Sequence, residues 1–517
     1  MDISYAKLRD KILGCWNGKN VGGVLGGPYE ECPRMVHDVH FYAQDINGNP
    51  PGNDDLDLQL VWLHAAEQYG KRLDARVLAD YWMSYIYPNW SEYGMGKRNL
   101  RAGMQPPLCG YVSNPYKDSN GSWIRTEIWA CMAPGHPEIA VRYAYEDAII
   151  DHAEEGVYAT AFCAAVESAA FVVSDKRELI RIGLSYIPEN CLTAQAIRLV
   201  EECYDAGKDW KQTRFELFTQ FPGTFGVGFT KQTDLPKDLP AGTPGMDAPN
   251  NLGIIVLGLL YGEDDFEKSL CITVNCGEDT DCTAATVGAI FGIIHGNDAL
   301  PEKWLKPLDG VINTCCIDLS TTIEIPANVQ ELTDRVIKCI PVFVDRDDFA
   351  FENGGVAVRF AKDMYCAPEY VYIPHIAGHK KSHRLPVKTL VGLSPFCVRY
   401  EFGSVGVILD YCGEPFLSVG ETRVIKLTLW DANDHTVPGQ WANVKLYADE
   451  GVQLPNGAYL SAPLLTTYQT KTEFEIPVTL ETVTGPTINI LLDVTVPGRA
   501  TSGTAKLTFY PGKYQHV

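Results

Sequence analysis

The feature that most constrains this chain is a change of hydrophobic period partway along it. Up to about residue 345, apolar residues recur at helical spacing. Tyr5, Leu8, Ile12, Leu13 and Trp16 follow Ser4, a plausible N-cap, and Leu58, Val61, Trp62 and Ala65 repeat the pattern. Tyr158 to Val173 is small and apolar almost all round, as in a buried helix. So is Cys282 to Ile294, where Ala284, Ala285, Gly288 and Gly292 permit close helix contacts. From about residue 346 the period becomes two. Ile425, Leu427 and Leu429 alternate with polar residues, as do Phe474, Ile476, Val478 and Leu480. Ile488, Ile490, Leu492, Val494 and Val496 form the clearest strand, and Ala505, Leu507 and Phe509 another. The expectation is a multi-domain α and β chain, all-α over 1–345 and a β-sandwich, immunoglobulin-like, over 346–517.

Composition narrows the class. With 46% hydrophobic residues in 517, the chain has ample material for a large core and is not mainly disordered. A net charge of -22 argues against nucleic acid or an anionic membrane as the main partner. No run of about 18 uncharged apolar residues suggests a membrane span. The first ten residues carry Asp2 and Asp10 and lack the basic and apolar regions of a secretory signal, so a cytoplasmic protein is expected. The 16 cysteines mostly sit in apolar segments such as Phe162-Cys163-Ala164 and read as small buried hydrophobes in a reducing compartment. With no Cys-x-x-Cys pair, a structural zinc site is not expected.

Two short segments concentrate acids just before a helix: Gly52-Asn53-Asp54-Asp55-Leu56-Asp57 and Asn275-Cys276-Gly277-Glu278-Asp279-Thr280-Asp281-Cys282-Thr283. Crowded carboxylates repel unless a cation or a helix N-terminus compensates. Each alone reads as a helix cap with surface acids. Together they suit Mg²⁺ or Mn²⁺, which take oxygen ligands. A third segment, from Gly14 to Glu30, reads as a helix followed by a glycine-rich loop ending in an acid. It is not a phosphate loop: three residues, not four, separate Gly14 from Gly18, and Asn20 follows Lys19. It is either a tight packing loop or one that brings backbone amides and Glu30 to a ligand.

These segments, in this order, resemble the ADP-ribosylglycohydrolase family over about residues 5–340. Gly22-Gly23-Val24-Leu25-Gly26-Gly27-Pro28-Tyr29-Glu30 is similar to its Gly-Asp-Ala-Leu-Gly-Ala-Pro-x-Glu motif. Asn53-Asp54-Asp55-Leu56 is similar to its Thr-Asp-Asp-Thr motif, and Gly277 to Cys282 to its Gly-Gly-Asp-Thr-Asp-Thr motif. Gly121-Ser122-Trp123-Ile124-Arg125 resembles its Gly-x-x-x-Arg loop, and Asp151-His152 sits where it has Thr-His before a helix. The resemblance implies an all-α fold around two Mg²⁺ or Mn²⁺ ions that cleaves a ribosyl C1 bond. It implies metal ligation by Asp54, Asp55, Asp279 and Asp281, with Asn53 and Cys282 at the two threonine positions. It implies substrate contacts from Gly121, Ser122, Arg125 and His152. Glu30 would act as acid or base, assisted by Asp55 and Asp281. Gly23, Asn53, Leu56 and Cys282 depart from the pattern, and Cys282 is too soft to suit Mg²⁺, which leaves the second ion open.

The substrate expected is a small-molecule or protein-linked ribosyl compound. Two other readings stay open: a glycosidase for a simpler furanoside or nucleoside-like sugar, and a non-catalytic binding or crystallin-like protein. The C-terminal half holds none of the motifs. A structural, substrate-positioning or oligomerisation role, the last as a homo-oligomer, is open to it. Among the other candidates, His375, His379 and His383 are spaced by four, but Pro374 and Gly378 exclude a helix, so a polar loop is expected. His37 and His40 read as loop residues near Glu30. Arg98, Arg101 and Arg125 are the basic residues suited to an anionic substrate, with surface salt bridges as the alternative. Trp123 and Trp129 are expected to pack in the core.

Overall fold

The computed structural model describes residues 2–30, 37–223, 246–318, 320, 323–360, 365–369, 372–375, 378–381, 385–431, 440–455, 458–464, 471–500 and 502–513. The chain divides into two units, residues 1–97 with 114–367, and residues 98–113 with 368–517.

The first unit is built on a pair of antiparallel helices, α1 (Tyr5–Gly26) and α6 (Thr280–His295). Ser4 caps α1, accepting from the Lys7 amide at 3.4 Å. Gly14, Gly18, Gly22 and Gly26 occupy one face of α1 at a spacing of four. A Cβ on each would strike the backbone of Gly292, Gly288, Ala284 and Thr280 in turn, at 2.6, 2.0, 2.1 and 2.2 Å from the carbonyl oxygens. The two backbones therefore touch along the whole seam, which only side-chain-free positions allow. This corrects the expected glycine-rich loop: Gly22, Gly23 and Gly26 lie inside α1, and only Gly27–Tyr29 forms a short 3₁₀ turn beyond it. Tertiary packing here overrides glycine's poor helix propensity.

Four more helices matter to the site. These are α2 (Asp54–Tyr69), α3 (Ser91–Arg101), α4 (Pro137–Ala148) and α5 (Glu155–Ala170). The α5 helix is buried on nearly every side, as its sequence implies. A further helix, α7 (Val329–Phe343), leads to a three-stranded sheet of β1 (Asp2–Ile3), β3 (Gly355–Arg359) and β2 (Phe349–Glu352), in that order. The helical unit thus carries one small sheet whose two-residue β1 is too short to show a period.

Among the described residues, the second unit holds a hairpin and two five-stranded sheets. The hairpin is β4 (Tyr372–His375) with β5 (Gly378–Lys381), where a loop is expected for His375 and His379; His383 lies outside the described residues. Ten strands follow: β6 (Cys397–Phe402), β7 (Val405–Asp410), β8 (Phe416–Leu417), β9 (Thr422–Trp430), β10 (Gln440–Ala448), β11 (Val452–Gln453), β12 (Tyr459–Leu464), β13 (Lys471–Leu480), β14 (Ile488–Thr495) and β15 (Ser502–Pro511). The sheet orders are β12-β10-β14-β15-β8 and β11-β13-β9-β7-β6. Ile425, Leu427, Ile476, Val478, Ile490, Leu492 and Leu507 are all fully buried, so each period-two segment points one face inward. Tyr400 and Tyr411 tie the sheets together. The Lys506 amide donates to the Tyr400 oxygen at 3.0 Å, and the Thr508 amide donates to the Tyr411 oxygen at 2.8 Å. Residues 98–113 belong to this unit: Tyr400 also donates to Gln105 at 2.8 Å, and Tyr510 to the Ala102 carbonyl at 3.0 Å. Among the described residues, no helix is long and apolar enough to cross a membrane.

Candidate active site

The glycine seam builds the site. Because α1 and α6 run antiparallel, the end of α1 delivers Glu30 to the start of α6, where Asp279 and Asp281 stand. Carboxyl oxygens of Glu30, Asp279 and Asp281 lie within 4.8 Å of one another. A second group, the Asp55 and Asp281 carboxylates with the Cys282 sulfur, is equally tight, and Asp281 belongs to both. Asp55 reaches this point from the first turn of α2, which Asn53 caps by accepting from the Asp55 amide at 2.8 Å. Two helix N-termini thus converge on one cluster of acids, and their dipoles favour negative charge there.

Several of these oxygens have nothing to bond. Among the described residues, both oxygens of Asp55 and one each of Asp279 and Asp281 are buried without a hydrogen-bond partner. Such groups are expensive unless a cation or proton compensates. Burial pushes the Asp55 carboxyl well above its usual range, opposed by Lys19 and reinforced by Asp281 and Asp54. Asp279 is pushed the same way by burial, Asp281 and Glu30, and Asp54 by burial and Asp281. Lys19 is buried in α1, donating to the Ile124 carbonyl at 2.7 Å and to Glu127 at 2.8 Å. The orphaned, hard oxygen donors fit Mg²⁺ or Mn²⁺. Cys282 fits less well: burial and the neighbouring aspartates raise its thiol far above the usual range, so it stays protonated.

Asn53 and Gly23 depart from the family pattern together, and the geometry shows why. A Cβ on Gly23 would stand 2.8 Å from the Asn53 amide nitrogen. The longer asparagine occupies the space next to Gly23 and donates to Asp281 at 3.3 Å. With its oxygen on the Asp55 amide, Asn53 has both polar ends engaged.

The acids open into a cleft of about 710 Å³. Glu30, Asn53, Asp54, Gly121, Asp279, Asp281 and Cys282 line it, together with Trp90, Glu92, Tyr93, Ser119 and Asn120. Asp54 accepts from the Tyr93 hydroxyl at 2.8 Å, and Asp279 from the Asn120 amide at 2.8 Å. Ser122, Arg125 and His152 are fully buried behind this wall. Ser122 donates to the Gly156 carbonyl at 3.1 Å, and Arg125 is locked between Asp147 and Asp151, at 3.0 and 2.8 Å. His37 rests on the Tyr29 ring, while His40 pairs with Asp38 on the surface. Arg98 donates to Asn99 and to the Ser113 carbonyl. Trp123 and Trp129 are core residues. The exposed aromatic at the cleft is Trp90, 51% accessible. Sequence reasoning passed over Trp90, Glu92 and Tyr93 because they lie in no recognised motif. Asn120 could have been found as the neighbour of Gly121.

The sequence model of the family described as ADP-ribosylglycohydrolase matches residues 4–338, well over half of the chain. The chain belongs to that family. Two short segments also match curated proteins. One is 35% identical over 49 residues to an ADP-ribosylarginine hydrolase, Tri1, of Serratia proteamaculans, covering 10% of this chain and 13% of that protein. The other is 41% identical over 54 residues to the ADP-ribosyl-[dinitrogen reductase] glycohydrolase of Rhodospirillum rubrum, covering 10% and 18%. The matches therefore span less than a fifth of either relative. A solved structure titled as an ADP-ribosylglycohydrolase-related protein complex aligns over 66% of this chain and all of its own, at 20% identity and a TM-score of 0.44.

Proposed function

We propose that this chain hydrolyses the C1 N- or O-glycosidic bond of a ribosyl substrate with the help of Mg²⁺ or Mn²⁺. The observation that carries the reading is the pair of donor groups sharing Asp281, with orphaned oxygens on Asp55, Asp279 and Asp281, the last two of which line the cleft. Asp55, Asp279 and Asp281 would hold the cation, with Glu30 and Asp54 beside them. A bound divalent cation supplies Lewis acidity and neutralises the crowded acids. The carboxylates stabilise the positive charge that develops on the sugar as its C1 bond breaks. Glu30, at the end of the turn after α1, accepts the proton of the attacking water.

A second reading concerns the sugar's substituent. Among the described residues, five carboxyl-bearing side chains line the cleft: Glu30, Asp54, Glu92, Asp279 and Asp281. None of the described residues that line it is a lysine, arginine or histidine. This favours an uncharged or cationic furanoside over a pyrophosphate-bearing one.

Turnover of ADP-ribosyl-arginine, methyl ribofuranoside and 4-nitrophenyl ribofuranoside, each with Mg²⁺, Mn²⁺ or chelator, separates these readings. Chelator-sensitive cleavage of at least one is expected, with the simple furanosides preferred if the acidic wall governs selection. Equal rates with and without cation would refute the metal-dependent reading. Selective cleavage of ADP-ribosyl-arginine would refute the second.

A further inference from the structure

A third group of donors stands apart from the acids around Asp281. Asp57, Cys315 and Cys316 each offer one atom, and the three atoms lie within 4.8 Å of one another. Asp57 is on α2, two residues after Asp55, so it points to a different side of the helix from the Asp281 groups. Asp57 and Cys316 are fully buried, while Cys315 is partly exposed and lines the cleft. Both thiols are free, and their sulfurs are 3.6 Å apart.

The backbone fixes this arrangement. The Cys315 and Cys316 amides both donate to Asp57 Oδ2, each at 2.6 Å. Gly52, just before α2, lets the Thr314–Cys315 peptide come close: a Cβ there would be 2.7 Å from the Thr314 carbonyl carbon and 2.9 Å from the Cys315 nitrogen. The Asn313 side chain donates to the Pro50 carbonyl at 2.7 Å, and the Tyr87 amide donates to the Cys316 carbonyl at 3.1 Å. The donors are therefore held in place from both sides before any ion arrives.

A purely structural role accounts for part of this. Asp57 Oδ2 pins two amides, and the thiols can share an S–H···S hydrogen bond. Neither uses Asp57 Oδ1, which among the described residues is buried without a hydrogen-bond partner. An idle, buried carboxylate oxygen is costly unless something compensates it.

We propose that Asp57, Cys315 and Cys316 hold a thiophilic divalent cation of the Zn²⁺ class, separate from the Mg²⁺ or Mn²⁺ at Asp281. The proposal goes beyond the hydrolase reading and does not rest on it. Ligand softness sorts the two sites, since sulfur selects zinc-like ions and carboxylate-only sites suit hard ones. Zn²⁺ takes thiolates at about 2.3 Å in a tetrahedron, which sets two sulfurs about 3.8 Å apart. The 3.6 Å between Cys315 and Cys316 is close to that. Asp57 is the third ligand and water the fourth. As the two Zn–S bonds form, each thiol gives its proton to solvent, and no electron is transferred. The bound cation ties the start of α2 to residues 313–316 at the edge of the cleft. Cysteine spacing does not announce the site: the two cysteines are adjacent instead of Cys-x-x-Cys, and Asp57 is 258 positions from Cys315.

The test uses the metal-free full chain under reductant, in excess Mg²⁺, as wild type, Cys315→Ser, Cys316→Ser, Asp57→Asn and Cys282→Ala. One equivalent of Co²⁺, a spectroscopic stand-in for Zn²⁺, should give the wild type a sulfur-to-cobalt charge-transfer band that Zn²⁺ abolishes. The band should be lost in both serine variants and kept in Cys282→Ala. Zn²⁺ affinity, read by competition with a chromogenic chelator, should fall at least about 100-fold in each serine variant, more than loss of an outer-shell partner costs. Asp57→Asn keeps an acceptor for the two amides but removes the carboxylate, and its affinity should fall at least about tenfold. A band that survives both serine variants and vanishes in Cys282→Ala would put the cation with Asp55 and Asp281 and overturn the proposal. So would a wild type with no band, or an Asp57→Asn affinity equal to wild type. If the serine variants fail to fold, X-ray absorption at the zinc edge of the wild type decides. Two sulfurs at about 2.3 Å with one or two oxygens are expected; a shell with one sulfur or none overturns the site.

Discussion

Asp281→Asn should reduce turnover by more than about 100-fold, beyond what loss of a supporting contact around a metal costs. Asp281 belongs to both donor groups, so no other single substitution disturbs Glu30, Asp279, Asp55 and Cys282 at once. The same substitution should leave the cation-free protein at least as stable as wild type. Asp281 raises both Asp54 and Asp55 by like-charge repulsion, and neutral asparagine relieves it. Opposite signs on activity and stability separate this account from one in which the acids merely cap helices. Thermal melts with added Mn²⁺ check it: the wild type should be protected, as binding to the folded state requires, and the variant should not. Near-normal turnover in the variant would reduce the cluster to a pair of caps.

The largest effect on stability should come from Gly22→Val. A Cβ at Gly22 would meet the carbonyl oxygen, carbonyl carbon and following nitrogen of the Ala284–Ala285 peptide at 2.1, 2.2 and 2.4 Å. All three are backbone atoms, so no side chain can swing away, and α1 and α6 must part. The expected cost is about 3 kcal/mol or more. Gly27→Ala is the control, since nothing lies within 4 Å of a Cβ there, and its stability should change by less than about 0.5 kcal/mol. Denaturant melts of both variants decide it; equal stability would mean that the helices are not in backbone contact. Since the seam also delivers Glu30 to Asp279 and Asp281, partial separation in Gly22→Val should cost activity as well.

What the sequence made legible was local. The change of period near residue 345 separated helical from strand-forming sequence because the period-two strands, such as those holding Ile425, Ile476 and Ile490, keep one face buried. Ser4 and Asn53 were readable as caps, since capping is a contact over two or three residues. The glycines of α1 were misread because their propensity argues for a loop, yet the spacing of Gly14, Gly18, Gly22 and Gly26 held the answer. The place of residues 98–113 with the second unit was not readable, because it depends on Tyr400 and Tyr510 about 300 and 400 positions away. The site divides in the same way. The aspartates announced themselves as neighbours in sequence. Ser119 and His152 come from separate segments and meet only in the folded chain.

The most direct measurement of the central claim is anomalous diffraction from crystals of the full chain grown with Mn²⁺. A manganese peak should lie between Asp55 and Asp281, or between Asp279 and Asp281, with carboxylate oxygens at about 2.0–2.6 Å. It should vanish in Asp281→Asn. No peak among these carboxylates at saturating Mn²⁺, or a peak that persists unchanged in Asp281→Asn, would contradict a cation site built on Asp281.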